Sequence, residues 1–181
     1  GEKFLDSWPR DVSELKVCED AHKIISYANL NGYLPVIVTN QRGIYQGKLT
    51  MAKYEEITDK LCAELEISRS QIFECFHRDS PSTCFCRKPK PGLFLMAKGV
   101  FDIDLEKSYV IGDSVTDIQG AYAAGVQNVI FIKRPAIEGV QAGNKSEEEK
   151  TIELAERTIN KPKIINNLSE VLSLDLLKRS N

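Results

Sequence analysis

Between Cys75 and Pro91 the chain reads C-F-H-R-D-S-P-S-T-C-F-C-R-K-P-K-P, which gathers three of its five cysteines and one of its two histidines into twelve residues. Cys75, His77, Cys84 and Cys86 supply three thiolates and one imidazole, the donor set of a closed tetrahedral structural zinc site. One residue separates the ligands within each pair, so neighbours can turn toward a single ion. The six residues between the pairs form a loop long enough to bring them together. Four protein ligands leave no open position, so this zinc is expected to hold structure rather than to do chemistry. A disulfide staple is the competing use of clustered cysteines, but His77 within the cluster and an odd cysteine total favour metal in a reducing, cytoplasmic compartment. Arg87, Lys88 and Lys90 follow at once and suit the grip of an anion. Cys18, Cys62 and His22 fall in helix-like segments, where small core or structural side chains are expected.

A second set of chemical groups lies elsewhere in the chain. Asp113 and Asp117 stand four residues apart where a strand gives way to a helix. A hard cation such as Mg2+ takes carboxylate oxygens and keeps several waters, so one or two aspartates with a substrate phosphate complete its shell. Asp117 has a simpler use in favouring a helix N-terminus through the dipole. Thr39 ends another strand, where its hydroxyl and the following N–H groups can donate to a phosphoryl oxygen, while Lys88 can neutralise charge developing on that group. Their plainer uses are a strand cap and solvated surface. Phosphoryl transfer needs mainly positioning and electrostatic stabilisation, and these residues supply both.

The elements that must position these residues alternate strand with helix. Apolar residues Ala21, Ile24, Ile25 and Ala28 mark a helix over Glu19 to Leu30, closed by Asn31-Gly32. Leu34 to Val38 reads as a strand buried on both faces, ending in the polar Thr39-Asn40-Gln41-Arg42-Gly43. Ligand sites of parallel α/β sheets lie at such carboxyl ends. Thr50 is the expected N-cap of a helix with Met51, Tyr54, Ile57, Leu61 and Leu65 on its apolar stripe. A strand over Gln71 to Glu74 leads into the cysteine loop, and Pro91 opens a helix running to about Val100. Ser108 to Ile111 is the next buried strand. After it come a helix over Val115 to Ala124, with small residues for close packing and Gly125 at its end, and a strand over Asn128 to Ile132. Residues 135–150 read as a loop passing into an acidic exposed helix. Lys163 to Ile165 suits an edge strand, and Leu168 to Leu177 a terminal amphipathic helix. Together these predict one α/β domain over residues 1–181, a Rossmann-like parallel sheet covered on both faces in three α/β/α layers.

Composition narrows the partners. The 181 residues are 42% hydrophobic and 28% charged with a formal net charge of -2, a profile that gives no electrostatic case for nucleic acid. No apolar run approaches the roughly 20 residues needed to span a bilayer, and no secretory pattern is expected. A small anionic metabolite is the better match for the short basic run.

Three stretches, in order, resemble the haloacid dehalogenase (HAD) superfamily, and within it the histidinol-phosphate and heptose-bisphosphate phosphatase group. They are Val36-Ile37-Val38-Thr39-Asn40-Gln41-Arg42-Gly43-Ile44, then Cys75 through Gly92, then Val110-Ile111-Gly112-Asp113 with Asp117 and Ala123-Ala124-Gly125-Val126. The zinc loop with C-R-K-P-x-P-G is the most specific of them. T-N-Q-x-G-I looks more like the D-glycero-D-manno-heptose 1,7-bisphosphate phosphatases than the histidinol phosphatases. The resemblance implies that Thr39 and Lys88 serve catalysis, that Asp113 ligates Mg2+ with Asp117 in support, and that Asn40 and Arg87 contact substrate.

Two departures accompany the likeness. The family attacks phosphate with the first aspartate of a D-x-D pair at the end of the first strand, and Phe4-Leu5-Asp6-Ser7-Trp8 only echoes it. The nucleophile and its central strand are therefore expected shortly before Gly1, and a chain that truly began at Gly1 would be a catalytically inactive, zinc-stabilised phosphate-binding module. Gln46 stands where heptose enzymes often carry a basic residue. The expected activity is Mg2+-dependent hydrolysis of a small phosphorylated metabolite through an aspartyl-phosphate, with heptose 1,7-bisphosphate as substrate and histidinol phosphate as the alternative.

Overall fold

The computed structural model describes residues 9–78, 83–133, 153 and 161–173. Asp6, Trp8, residues 135–150 and the chain after Ser173 lie outside the described residues, and with them the echo of the first motif, the acidic stretch and the end of the terminal helix. A turn of 3-10 helix, Val12–Glu14, precedes α1 (Glu19–Leu30), β1 (Ile37–Asn40), α2 (Arg42–Tyr45) and α3 (Met51–Leu65). Next come β2 (Ile72–Cys75), α4 (Gly92–Phe101), β3 (Tyr109–Gly112) and α5 (Val115–Ala124). β4 (Asn128–Ile132), β5 (Lys163–Ile165) and α6 (Ser169–Ser173) follow.

All pairing among the described residues is parallel. β1 pairs with β2 in the register Thr39↔Glu74 and Asn40↔Cys75, and β4 lies between β3 and β5. Among the described residues the ladder falls into these two pieces, with β1 and β3 each paired on one side only. Packing joins them, since Val38 of β1 belongs to the same cluster as Val110 of β3.

Strand alternation sorts the side chains to two faces. Ile37 and Ile72 meet Ala21, Ile25, Cys62 and Leu65 of α1 and α3, while Val38 and Phe73 meet Leu93 and Ala97 of α4. In the other piece Tyr109, Ile111 and Ile130 pack with Ile24, Ala28 and Val171 of α1 and α6. Val110, Val129 and Phe131 pack with Phe94, Ile118 and Ala121 of α4 and α5. Helix α1 thus spans both pieces on one face and α4 does so on the other, giving the expected three layers. Leu93, Ile118, Val126 and Ile165 are at most 1% exposed, each such burial contributing about 1.5–3 kcal/mol.

Several boundaries differ from the sequence expectations. β1 starts at Ile37 rather than Leu34, because Pro35 has no N–H to give to a ladder and restricts the residue before it. Consequently Thr39 and Asn40 belong to the strand itself, and β1 is half-buried throughout instead of buried on both faces. β2 likewise shifts forward, since Gln71 closes a 3-10 turn whose capping box begins at Ser68, and Cys75 becomes its last residue. α3 and α4 end on Glu66 and Asp102 in the left-handed region, without the glycine that usually announces such an end. Cys62 is core, as expected, but Cys18 is exposed at the N-cap position of α1, one residue before the helix begins. His22 is half-buried on α1.

Candidate active site

Lys88 is the centre about which the strand ends are arranged. Its side chain is 9% exposed and its Nζ lies 2.6 Å from Asp117 Oδ1, whose side chain is 14% exposed. The same ammonium donates to the Val38 carbonyl of β1 at 2.7 Å. An ammonium has three N–H donors, and among the described residues these partners engage two of them. Paired and hydrogen-bonded in this way, a nearly buried charge is tolerated.

Two strand ends converge on it. At the end of β1, Gln41 Nε2 donates to Thr39 Oγ1 at 3.1 Å, and the Asn40 amide bonds the Lys88 backbone through both its functions. At the end of β3, Gly112 gives way to Asp113, which is half-buried, and then to the first turn of α5. Ser114 Oγ accepts from Asp117 N–H while Asp117 Oδ2 accepts from Ser114 N–H, each at 3.2 Å, a reciprocal capping box. A Cβ at Gly112 would come within 2.5 Å of Asp117 Cβ, so only glycine lets this carboxylate fold back against the strand end. Both oxygens of Asp117 are thus engaged in holding Lys88 and the Ser114 turn. Asp113 and Asp117 thus stand at one strand end, and carboxylate oxygens are the donors that a hard cation takes.

The cysteine loop closes beside this centre. Cys75 Sγ lies 3.4 Å from His77 Nδ1 and 3.8 Å from Cys84 Sγ, and Cys86 Sγ lies 3.2 Å from His77 Nδ1. The four donor atoms fall within 4.8 Å of one another. A tetrahedron built on metal–sulfur bonds of about 2.3 Å has sulfur–sulfur edges of about 3.8 Å, so the donors stand where one four-coordinate metal would need them. Burial and the neighbouring Cys75 and Cys84 thiols push the Cys86 thiol up to about 12. Such thiols become thiolates when a cation supplies the missing positive charge. Arg87 Nη1 donates to the His77 carbonyl at 3.1 Å and Lys90 Nζ to the Cys84 carbonyl at 2.5 Å, so the basic run also braces the loop that precedes it.

The structure therefore brings together Thr39, Asn40, Lys88, Asp113 and Asp117, and separately gathers Cys75, His77, Cys84 and Cys86. Arg87 is drawn to the loop carbonyl. Sequence reasoning missed the Val38 carbonyl and the Ser114 cap. It also missed Glu74, paired across β2 from Thr39, whose carboxylate accepts from Tyr54 Oη at 2.8 Å and meets Arg69 Nη2 at 2.5 Å. Burial, opposed by a bond to Thr58 and supported by Glu74, pushes the Tyr54 hydroxyl above its ordinary range. The capping box was the one signal available locally, as S-x-x-D ahead of an apolar run.

Comparison with known proteins assigns the class. The HAD-hydrolase-like family model matches residues 85–133. The D,D-heptose 1,7-bisphosphate phosphatase of B. bronchiseptica, solved with magnesium and phosphate, superposes with a TM-score of 0.73 at 22% identity, over 94% of this chain and 89% of that one. A HAD-like phosphatase from Mesorhizobium loti superposes with a TM-score of 0.69 at 22% identity, covering 97% and 82% of the two chains. The fold is that of a HAD-like hydrolase.

The sequence relatives narrow it further. The D-glycero-beta-D-manno-heptose-1,7-bisphosphate 7-phosphatase of Vibrio cholerae is 37% identical over 132 residues, 68% of this chain and 71% of that protein. The D-glycero-alpha-D-manno-heptose-1,7-bisphosphate 7-phosphatase of Campylobacter jejuni is 30% identical over 131 residues, 71% and 74% of the two. The Escherichia coli beta-anomer enzyme is 37% identical over 111 residues, and the match spans 58% of its length. The chain belongs to the heptose-1,7-bisphosphate 7-phosphatase family of HAD-like hydrolases. None of the described helices is long and apolar enough to cross a membrane.

Proposed function

We propose that the protein is a Mg2+-dependent phosphoric monoester hydrolase acting on a heptose 1,7-bisphosphate. The observation that carries this reading is the nearly buried Lys88 ammonium, held by the Val38 carbonyl and Asp117 between the carboxyl ends of two parallel strands. At that point Thr39 and Lys88 can hold a phosphoryl group on two sides, and Arg87 stands one residue from the ammonium. Arg42 adds a cation on the turn after β1. With its amide turned so that the oxygen faces Arg42, Gln46 accepts from Nε at 2.6 Å and Nη2 at 3.1 Å, which supports a basic group on the turn where Gln46 itself is neutral.

Catalysis in this reading is electrostatic. As the bond from phosphorus to the sugar oxygen breaks, its electron pair goes to the departing sugar oxygen, which takes up a proton, while a preorganised ammonium in a partly dehydrated site stabilises the charge on the transferring phosphoryl group without reorganising. Asp117 sets that ammonium in place, and Thr39 orients the group for in-line attack. None of the described carboxylates is assigned the attack on phosphorus in this reading. Magnesium, held by Asp113 with Asp117 in support, would add charge neutralisation on the phosphoryl oxygens. Zinc is the metal we assign to Cys75, His77, Cys84 and Cys86, since three sulfurs and an imidazole in a closed tetrahedron suit it. Its role is to fix the loop that carries Arg87 and Lys88.

The reading is tested on the full-length protein with magnesium and a panel of both anomers of heptose 1,7-bisphosphate, histidinol phosphate and a generic aryl phosphate. Release of phosphate fastest from a heptose bisphosphate supports it. A preference for histidinol phosphate would replace the substrate, and binding of inorganic phosphate with no turnover of any compound would reduce the protein to a phosphate-binding module. Elemental analysis should find about one zinc per chain, the number one four-ligand site takes.

A further inference from the structure

Asn40 is the last residue of β1, and its side chain makes two hydrogen bonds to one residue 48 positions away. Nδ2 donates to the Lys88 carbonyl at 3.1 Å, and Oδ1 accepts from the Lys88 backbone N–H at 3.1 Å. We propose that Asn40 is a positioning residue for Lys88, gripping both backbone polar groups of the lysine and so fixing the root of the side chain whose tip is fixed by Val38 and Asp117. The proposal rests on the reading of Lys88 as the group that neutralises phosphoryl charge, and it gives Asn40 a different role from a direct contact to substrate.

The chemistry of the pair explains the residue type. Lys88 offers one backbone donor and one backbone acceptor, and a primary amide offers the complementary pair on a rigid planar group. Aspartate cannot donate, and serine or threonine has a single oxygen where the two bonds need separate atoms. Both backbone groups of Lys88 are partly buried, so leaving them unpaired carries a desolvation penalty. Lys88 sits two residues beyond Cys86, on a segment tied to the metal loop by Arg87 to His77 and Lys90 to Cys84. Without the Asn40 bonds nothing described here ties the Lys88 backbone to β1. With them, the loop and the strand end that carries Thr39 move as one body, and the distance between Thr39 and the ammonium is set.

The experiment uses the full-length, metal-loaded protein and reads amide exchange by NMR alongside kinetics with heptose 1,7-bisphosphate. Asn40→Ala should speed exchange of the Lys88 amide by about tenfold or more while the β4 amides stay protected. Asn40→Asp, which keeps the acceptor and loses the donor, should leave that amide protected. In the kinetics Asn40→Ala should lower kcat by about 10- to 100-fold, the size of effect a misplaced group produces, with KM changed by less than about threefold. Adding Lys88→Ala to it should cost no more than Lys88→Ala alone, because one residue acts through the other. Unchanged exchange at Lys88 in Asn40→Ala overturns the proposal. So does a rise in KM at constant kcat, or losses that multiply in the double variant, since either marks a direct substrate contact. If the unaltered protein releases no phosphate from any compound, the phosphatase reading fails, and the exchange measurement alone then decides whether the clamp exists.

Discussion

The carboxyl ends of β1 and β3 face the same lysine but are built in opposite ways. At β3 the capping bonds are local. Ser114 and Asp117 cap one another across three residues, and Gly112 makes the room they need. At β1 the ordering bonds are long-range, with Asn40 holding a backbone 48 residues on and the Val38 carbonyl receiving an ammonium from 50 residues away. One end is organised by its own sequence, and the other only once the metal loop has been delivered to it.

That difference can be broken at either end. The largest effect is expected from Lys88→Met, which strands the Asp117 carboxylate in a site 14% exposed. Removing one partner of such a pair costs about 3–5 kcal/mol, which shows as a fall in Tm of about 2–4 °C for each kcal/mol in a domain of this size. Adding Asp117→Asn, which removes the charge and keeps an oxygen for the Ser114 N–H, should recover part of that stability in a calorimetric scan but none of the activity. Gly112→Ala should cost about 1–3 kcal/mol by forcing the Asp117 side chain away, and it should lower activity through Lys88 even though the residue touches no substrate. Ser114→Ala removes a cap and should cost about 1 kcal/mol in denaturant unfolding, with the Lys88 backbone undisturbed.

The smallest effect belongs to a long-range tie that is open to solvent. Asp11 meets Lys53 of α3 at 2.6 Å, and the hydrogen bond from that ammonium, with those from Ser13, holds the carboxyl down to about 2. A carboxyl depressed in the folded state contributes above its unfolded value of about 3.9 and ceases to contribute as the pH falls through its folded value. An NMR titration of the Asp11 carboxyl should therefore find its midpoint near the bottom of that window. Only a slight loosening of the N-terminal turn is expected, because exposed pairs contribute little.

The same contrast explains what was legible in the sequence. The four clustered Cys and His donors, Thr50 as a cap, the small face of α5 and the aspartates at the end of β3 are short-range patterns, and each can be recognised from spacing because its partners lie within a turn or a short loop. Thr39 and Lys88 could be named as phosphate-binding groups from their types and from family likeness. Nothing in the sequence could show that Asn40 spends its amide on Lys88, or that Asp117 spends both oxygens on Lys88 and Ser114, because such bonds depend on how strands from distant parts of the chain are set side by side. The strand boundaries slipped for a related reason. Apolar runs mark where a strand is buried, whereas Pro35 and the 3-10 turn at Arg69–Gln71 decide where pairing begins.

The central claim is that the ends of β1 and β3 form one phosphoryl-transfer site with the metal carboxylate at Asp113. Its most direct test is phosphate release from heptose 1,7-bisphosphate by the full-length protein, with and without Asp113→Ala, at saturating magnesium. The account expects release by the unaltered protein and a loss of about 10²-fold or more in the variant. Full activity in Asp113→Ala would contradict it.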